Sequence, residues 1–421
     1  MTKEKAKQEN PRIRPIEAFP AQIAGKEMIG IKDPTGICSE IVFVSTEAFF
    51  LIRLMDGTNT LLDLQAAYMR HYGALLFMDK IEDLIEQLNS RYFLENLHFQ
   101  DYLRQLREDF KKAATRQAVF ANKGYEADPE RLKAQLQGYF TGQDGPGLPP
   151  GEDEGGGEKK EIKGIIAPHI DFTRGGECYA HAYKALGESP RESNGTDLYC
   201  ILGTCHTPMR NPFAFTLKAF ETPLGRAEVA KDIVEDCAKR LPFDPFLDEF
   251  SHRMEHTIEF QVIFLQYLLG EGDFQILPIL CSSFHEMILG GGSPLEYPPY
   301  PDAVSILREG LAPLPSLVLV ASVDLAHVGP QFGHQETVTP GVLAEVKAKD
   351  LEMLHYVEEL KGEEFYRFIL REGDRRNICG LPPIYTLLQL IEAQKGEVLH
   401  YQQWSDPSGK GAVTFASMAF F

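Results

Sequence analysis

No apolar run in the 421-residue chain approaches the roughly 20 residues that cross a bilayer, so no membrane span is expected. The opening stretch, MTKEKAKQENPRIRP, lacks the apolar segment of a signal peptide. Cysteine is sparse and unpatterned, with seven residues at no framework spacing. That argues against a disulfide scaffold and for free thiols in a reducing compartment, so a cytoplasmic location is expected. Positive charge is also short: 42 Lys and Arg against 61 Asp and Glu leave a net charge of −19. A chain of that sign is repelled by nucleic acid and anionic lipid, and neither is expected as a partner. There is no internal repeat and no Walker-type phosphate loop, and Gly175-Gly176 does not complete a dinucleotide fingerprint.

What is present reads as an ordinary globular composition, 43% hydrophobic and 24% charged, long enough for one small and one large domain. Residues 1–35, rich in Lys, Glu and Pro, predict an extended lead-in. Ile37–Val44 predicts a strand. A helix over Glu47–Leu54 follows, with Phe49, Phe50, Ile52, Leu54 and Met55 apolar and Gly57 closing it. Thr60 caps a helix over 61–72. Asp79 caps another over 80–91, whose Ile81, Leu84, Ile85 and Leu88 recur at helical spacing. Tyr92–Glu95 predicts the first strand of a short hairpin. Together these make a small winged-helix-like α+β domain over 36–97, followed by a linker helix over 98–119. Glu82, Asp83 and Glu86 leave this domain without a basic stripe for DNA. The Gly-, Pro- and acid-rich stretch 141–160 predicts a mobile loop. From 161 onward buried strands and helices alternate, which predicts an α/β domain with helices on both faces of one sheet.

Three of the predicted strands end in a histidine loop. Ile165–Ala167 leads to Pro168-His169, Leu198–Leu202 to Gly203-Thr204-Cys205-His206, and Leu317–Ser322 to Val323-Asp324-Leu325-Ala326-His327. Ligands of open α/β sheets bind where strands end, and imidazole is the commonest protein ligand of Fe, Cu and Zn. Each histidine alone is more often a turn residue; three in one placement point to a shared site. Cys379, in Asn377-Ile378-Cys379-Gly380, offers a thiol before a predicted helix, where a metal would favour the thiolate. Two His and one Cys leave an open coordination position. His256 and Glu259 lie three apart on one helix and read as a metal pair, an acid/base pair, or a salt-bridge arrangement with Arg253. Asp324 could orient His327 as a second carboxylate layer, and Asp171 could do so for His169. Cys205 is an extra sulfur beside His206.

The stretches FFLIRLMDGTNTLLDLQAAYMRHYG and KIEDLIEQLNSRYFLEN, within 35–97, resemble the PqqD-like family, whose members bind a peptide by strand addition. The ordered blocks APHIDFTRGGECYAHAYKAL, ILGTCHTP, ETPLG, MEHTIEFQVIFLQYL, FQILPIL, SVDLAHVG and NICGLPPI resemble the MEMO family, often called AmmeMemoRadiSam system protein B, over 120–421. That resemblance implies a fold like the class III extradiol dioxygenases, a mixed sheet between helix layers. It places the metal ligands at His169, His206 and Cys379. It places the catalytic His at His327, with Asp324 beside it, and puts His256 and Glu259 in the pocket. It further implies iron(II) or copper as cofactor, with zinc also compatible, and radical SAM and AMMECR-type partners. Asn122-Lys123-Gly124-Tyr125 stands where the family has a His- and Trp-containing segment. APHIDF replaces the commoner APHAGY, so Ile170 and Asp171 reshape the rim.

Overall fold

Ala24 and Gly25 both take positive φ, 49° and 77°, the conformation of a two-residue hairpin turn. They fold β1 (Glu17–Ile23) back on β2 (Lys26–Lys32), and β3 (Val42–Val44) completes an antiparallel sheet of order β1-β2-β3. The computed structural model describes residues 10–149, 160–190, 197–270, 272, 274–314 and 317–421. The chain divides into two compact units, Met1–Lys112 and Ala113–Phe421.

In the first unit, α1 (Thr46–Ile52) is capped by Ser45 and α2 (Leu61–Tyr72) by a reciprocal Thr60–Asp63 capping box. Gly73, at φ 65°, stops α2. Next come α3 (Met78–Ser90) and α4 (Leu97–Lys112). Ile81, Leu84 and Leu88 of α3 pack with Leu51, Ile52, Met55 and Leu64 in one core. Three expectations need correction here. The lead-in at 1–35 contains the β1–β2 hairpin, because the turn chemistry of Ala24-Gly25 lets short strands pair. The hairpin expected from Tyr92–Glu95 does not form: Tyr92 takes a positive φ of 61°, and Leu94 makes a single bridge with Ile13. The expected linker helix ends at Lys112, short of 119.

The second unit runs β4 (Thr115–Arg116), α5 (Pro129–Thr141), β5 (Gly164–Ala167), α6 (Phe172–Glu188), β6 (Asp197–Thr204), β7 (Phe213–Phe215), β8 (Ala219–Thr222) and β9 (Gly225–Val229). It continues with α7 (Lys231–Arg240), α8 (Thr257–Leu269), β10 (Phe274–Cys281), α9 (His285–Gly290), α10 (Tyr300–Leu311), β11 (Leu317–Ser322) and β12 (His327–Val328). It closes with α11 (Pro340–Glu358), α12 (Gly362–Arg371), α13 (Leu381–Leu390), β13 (Gly396–Ser405) and β14 (Ala412–Phe420). Of the loop expected at 141–160, residues 150–159 lie outside the described residues.

Neighbours in the large sheet run β12-β14-β5-β11-β6-β10-β9-β8-β4, with β13 on β14 and β7 on β10. β5, β11, β6 and β10 are mutually parallel, whereas β14 is antiparallel to β5, so the sheet is mixed. Parallel strands are covered on both faces and read as unbroken apolar runs, and these four are buried almost throughout. Helices flank the sheet. The α8 sequence TIEFQVIFLQYLL is buried nearly all round, as a helix without a polar stripe must be. The chain passes from β5 across to β6 and β10, then returns to insert β11 between β5 and β6. That reversal is the switch point where a crevice opens at the strand ends.

Candidate metal centre

The strand ends are level. Ser322 of β11 pairs with Ala167 of β5 on one side and Gly203 of β6 on the other. The first two turns of α8 clamp that edge. Gln261 Nε2 donates to the Pro168 carbonyl at 2.8 Å and to Ser322 Oγ at 2.7 Å. Thr257 Oγ1 donates to the Thr204 carbonyl at 3.0 Å. Gly203 permits this approach, since a Cβ there would meet Thr257 Oγ1 at 2.6 Å.

From this edge the loops bring His169, His206 and Cys379 together, with one donor atom of each within 4.8 Å of the others. His169 is 2% exposed. Its Nδ1 lies 3.1 Å from the Ser322 carbonyl, which can only accept, so Nδ1 carries the proton and Nε2 the lone pair. Cys379 Sγ is 3.3 Å from that Nε2. Burial holds the His169 imidazole down to about 3, against the pull of Asp324.

His206 is oriented by Glu255. The His206 backbone N–H donates to Glu255 Oε2 at 2.9 Å, and His206 Nδ1 lies 3.1 Å from the same oxygen. Burial pulls this imidazole down, but Glu255 and Cys379 outweigh it and the pKa stands well above the ordinary value. Glu255, buried and opposed by burial, is held well below the carboxylate range by His206 and His256. His256 stacks on His206 at 5.1 Å and 13°, and its Nδ1 is 3.1 Å from Glu255 Oε1. The sequence reading missed Glu255. The signal lay in the text: it directly precedes His256 in a block already singled out. His206, Glu255 and His256 form a second donor cluster by distance. The Glu255 oxygens already accept the backbone N–H groups of His206, His256 and Thr257, so Glu255 orients the histidines.

The other expected residues fall as follows. Asp324, 2% exposed, does not orient His327. Its Oδ1 accepts from the backbone N–H of His169 at 3.0 Å and of Ile170 at 3.2 Å, and Oδ2 is 3.6 Å from His169 Nε2. The reason is the register: Asp324 leaves β11 beside the loop after β5. His327 Nδ1 lies 3.2 Å from the Leu325 carbonyl, its ring is edge-on to Phe332 at 5.1 Å, and burial lowers its pKa against the pull of Asp324. Glu259 is fully buried and bonded to Arg116, to Tyr125 and to the Phe120 N–H, so its partner is Arg116 and not Arg253. Asp171 is bonded to Thr173 and Arg174, not to His169. Cys205 Sγ lies 3.3 Å from the Thr207 carbonyl. Burial pushes the Cys379 thiol up, with His206 opposing. A cavity of about 280 Å³ opens beside His206 and Cys379, walled by Phe284, Ile288, Leu381 and Pro382 and reached by His285 and Asp374.

Residues 116–419 match the family described as Memo-like protein. A MEMO1 family protein of Aquifex aeolicus is 28% identical over 414 residues, covering 98% of this chain and 100% of that protein. A MEMO1 family protein of Thermus thermophilus is 26% identical over 348 residues, 83% of this chain and 94% of its own. One from Sulfolobus acidocaldarius is 29% identical over 308 residues, 70% of this chain and 95% of its own. By the extent of that match, the chain belongs to the Memo-like protein family.

Proposed function

We propose that the chain is a metal-binding protein in which His169, His206 and Cys379 hold one ion, iron(II) or copper, with zinc also compatible. One observation carries the reading. Both imidazoles have Nδ1 committed to an acceptor, Ser322 O and Glu255, which leaves each Nε2 for the space shared with the thiol. Second partners that fix a ring's tautomer are the usual accompaniment of a ligating histidine. A thiolate with two imidazoles is softer than two imidazoles and a carboxylate, and so favours copper(I) or zinc more than the facial triad does. A bound ion with an open position supplies Lewis-acid or redox chemistry. The protein's part is to orient the donors through Ser322 and Glu255 and to hold the His169 loop on Asp324.

A second reading is an extradiol-type oxidoreductase with His327 as acid/base. The cavity beside His206 and Cys379 favours it, since it has room for a small substrate and joins an apolar wall to polar groups such as His285 and Asp374. In either reading we place the protein in a radical SAM-associated modification system with an AMMECR-type partner. A PqqD-like first unit would present a peptide or protein there. β3, an edge strand with Phe43 exposed and Ile41 exposed just before it, supports strand addition.

Elemental analysis of anaerobically purified protein tests the reading. Wild type is expected to carry near one equivalent of metal, and His206→Ala and Cys379→Ala to lose it. Wild type that takes up no metal after loading overturns it. Oxygen uptake with a catechol panel separates the two readings: turnover selects the oxidoreductase, and silence with tight metal binding selects the first.

A further inference from the structure

The loops that carry His327 and Cys379 are both tied to one buried carboxylate. Asp350 of α11 is fully buried. It accepts from Arg376 Nη1, from Tyr401 OH at 2.9 Å, and from Thr414 Oγ1. Arg376 lies three residues before Cys379, and its carbonyl accepts the His327 backbone N–H at 2.7 Å. Thr414 belongs to β14, where its Oγ1 accepts from the Ala326 N–H at 2.9 Å and its own N–H donates to the Ala326 carbonyl at 2.9 Å. One side of Asp350 therefore reaches the Cys379 loop and the other the His327 loop.

Further ties join the same two loops. His334 Nε2 lies 2.7 Å from the Arg375 carbonyl, while its Nδ1 accepts from the Gly329 N–H at 3.2 Å. Asn377 Nδ2 donates to the carbonyls of His327 and Phe332, each at 3.2 Å. Within the Cys379 loop, Asp374 and Asn377 take positive φ, 50° and 51°, the region that Asp and Asn enter most readily among residues with a side chain.

We propose that Asp350 and Arg376 are a positioning pair that holds the His327 and Cys379 loops in one register, so that breaking the pair releases both together. The placement of the thiol and the ring is measured without metal, so a negative result here is distinct from a failure of metal binding.

Six of the seven cysteines are buried, and Cys379 alone is partly open, so alkylation of the folded, metal-free protein reports on it. Iodoacetamide labelling mapped by peptide mass spectrometry is compared for wild type, Asp350→Asn, and Leu354→Ala, a core truncation on the same helix. Asp350→Asn is expected to speed Cys379 labelling roughly fivefold or more. Hydrogen-exchange protection should fall together over 326–329 and 375–380. Leu354→Ala should lower thermal stability without either change. The double variant Asp350→Asn/Arg376→Met also removes the buried cation, which in Asp350→Asn keeps only Glu372, at 2.9 Å, of its two carboxylate partners, and is expected to recover stability while Cys379 stays fast. If Asp350→Asn does not fold, Tyr401→Phe removes one bond from the same carboxylate, with an expected increase of about twofold. Equal labelling in Asp350→Asn and Leu354→Ala, or loss of protection in only one loop, overturns the proposal.

Discussion

Glu255 shows how one side chain can set two others. Its carboxylate receives three backbone N–H groups and lies beside two imidazole Nδ1 atoms, so its charge and both its oxygens are in use. Glu255→Gln keeps the shape and removes the charge. Metal affinity, measured by competition with a chromophoric chelator, is expected to fall by about 10- to 100-fold while far-ultraviolet circular dichroism stays that of wild type. His252 is a residue with a different consequence. It is buried, its Nε2 lies 3.0 Å from the Ala214 carbonyl, and burial lowers its pKa to about 4. The unfolded chain protonates this histidine near 6.5, and the folded one does not until about 4. Its contribution is therefore intact above 6.5 and is lost as pH falls towards 4, at up to about 1.4 kcal/mol per pH unit. Urea unfolding between pH 7 and 4.5 should show a shallower decline in His252→Gln than in wild type.

At the scale of elements, the site depends on how closely α8 and α13 approach the strand ends. The Gly380 N–H donates to the Asp324 carbonyl at 3.0 Å, and a Cβ at Gly380 would meet that oxygen at 2.5 Å and Val323 Cβ at 2.6 Å. Backbone cannot yield as a flexible side chain can. Gly380→Ala is expected to cost about 1–3 kcal/mol in chemical denaturation and to disturb the Cys379 loop. The Arg116–Glu259 pair locks β4 onto α8, with both side chains fully buried. Glu259→Ala leaves a buried guanidinium without its carboxylate and is expected to cost about 3–5 kcal/mol by the same measurement. The helices were legible where caps and period agreed, as in the Thr60–Asp63 box that bounds α2 at Leu61–Tyr72. The β1–β2 hairpin was hidden because Ala24 occupies a left-handed position that its side chain does not advertise.

At the scale of the molecule, each unit has its own apolar core. The Memo-like match begins at 116, and the Sulfolobus relative matches over 308 residues, 95% of its own length. A chain of residues 113–421 is expected to unfold cooperatively on its own and to take up the same metal equivalent as the full chain, read by calorimetry and elemental analysis. No helix among the described residues is long and apolar enough to cross a membrane.

The sequence alone establishes that buried apolar strands lead into His169, His206 and Asp324-to-His327. A strand covered on both faces must be a continuous apolar run, and the first polar residues after it mark the edge. It also determined that Cys379 precedes a helix. Which carboxylate serves which histidine was decided only by the tertiary structure. Glu255 turns to His206, Asp324 to His169, Glu259 to Arg116, and Asp350 to both site loops. These partners lie tens to more than a hundred residues apart in the chain, and a buried charge takes whichever partner packing brings within reach, because leaving it without one costs several kcal/mol.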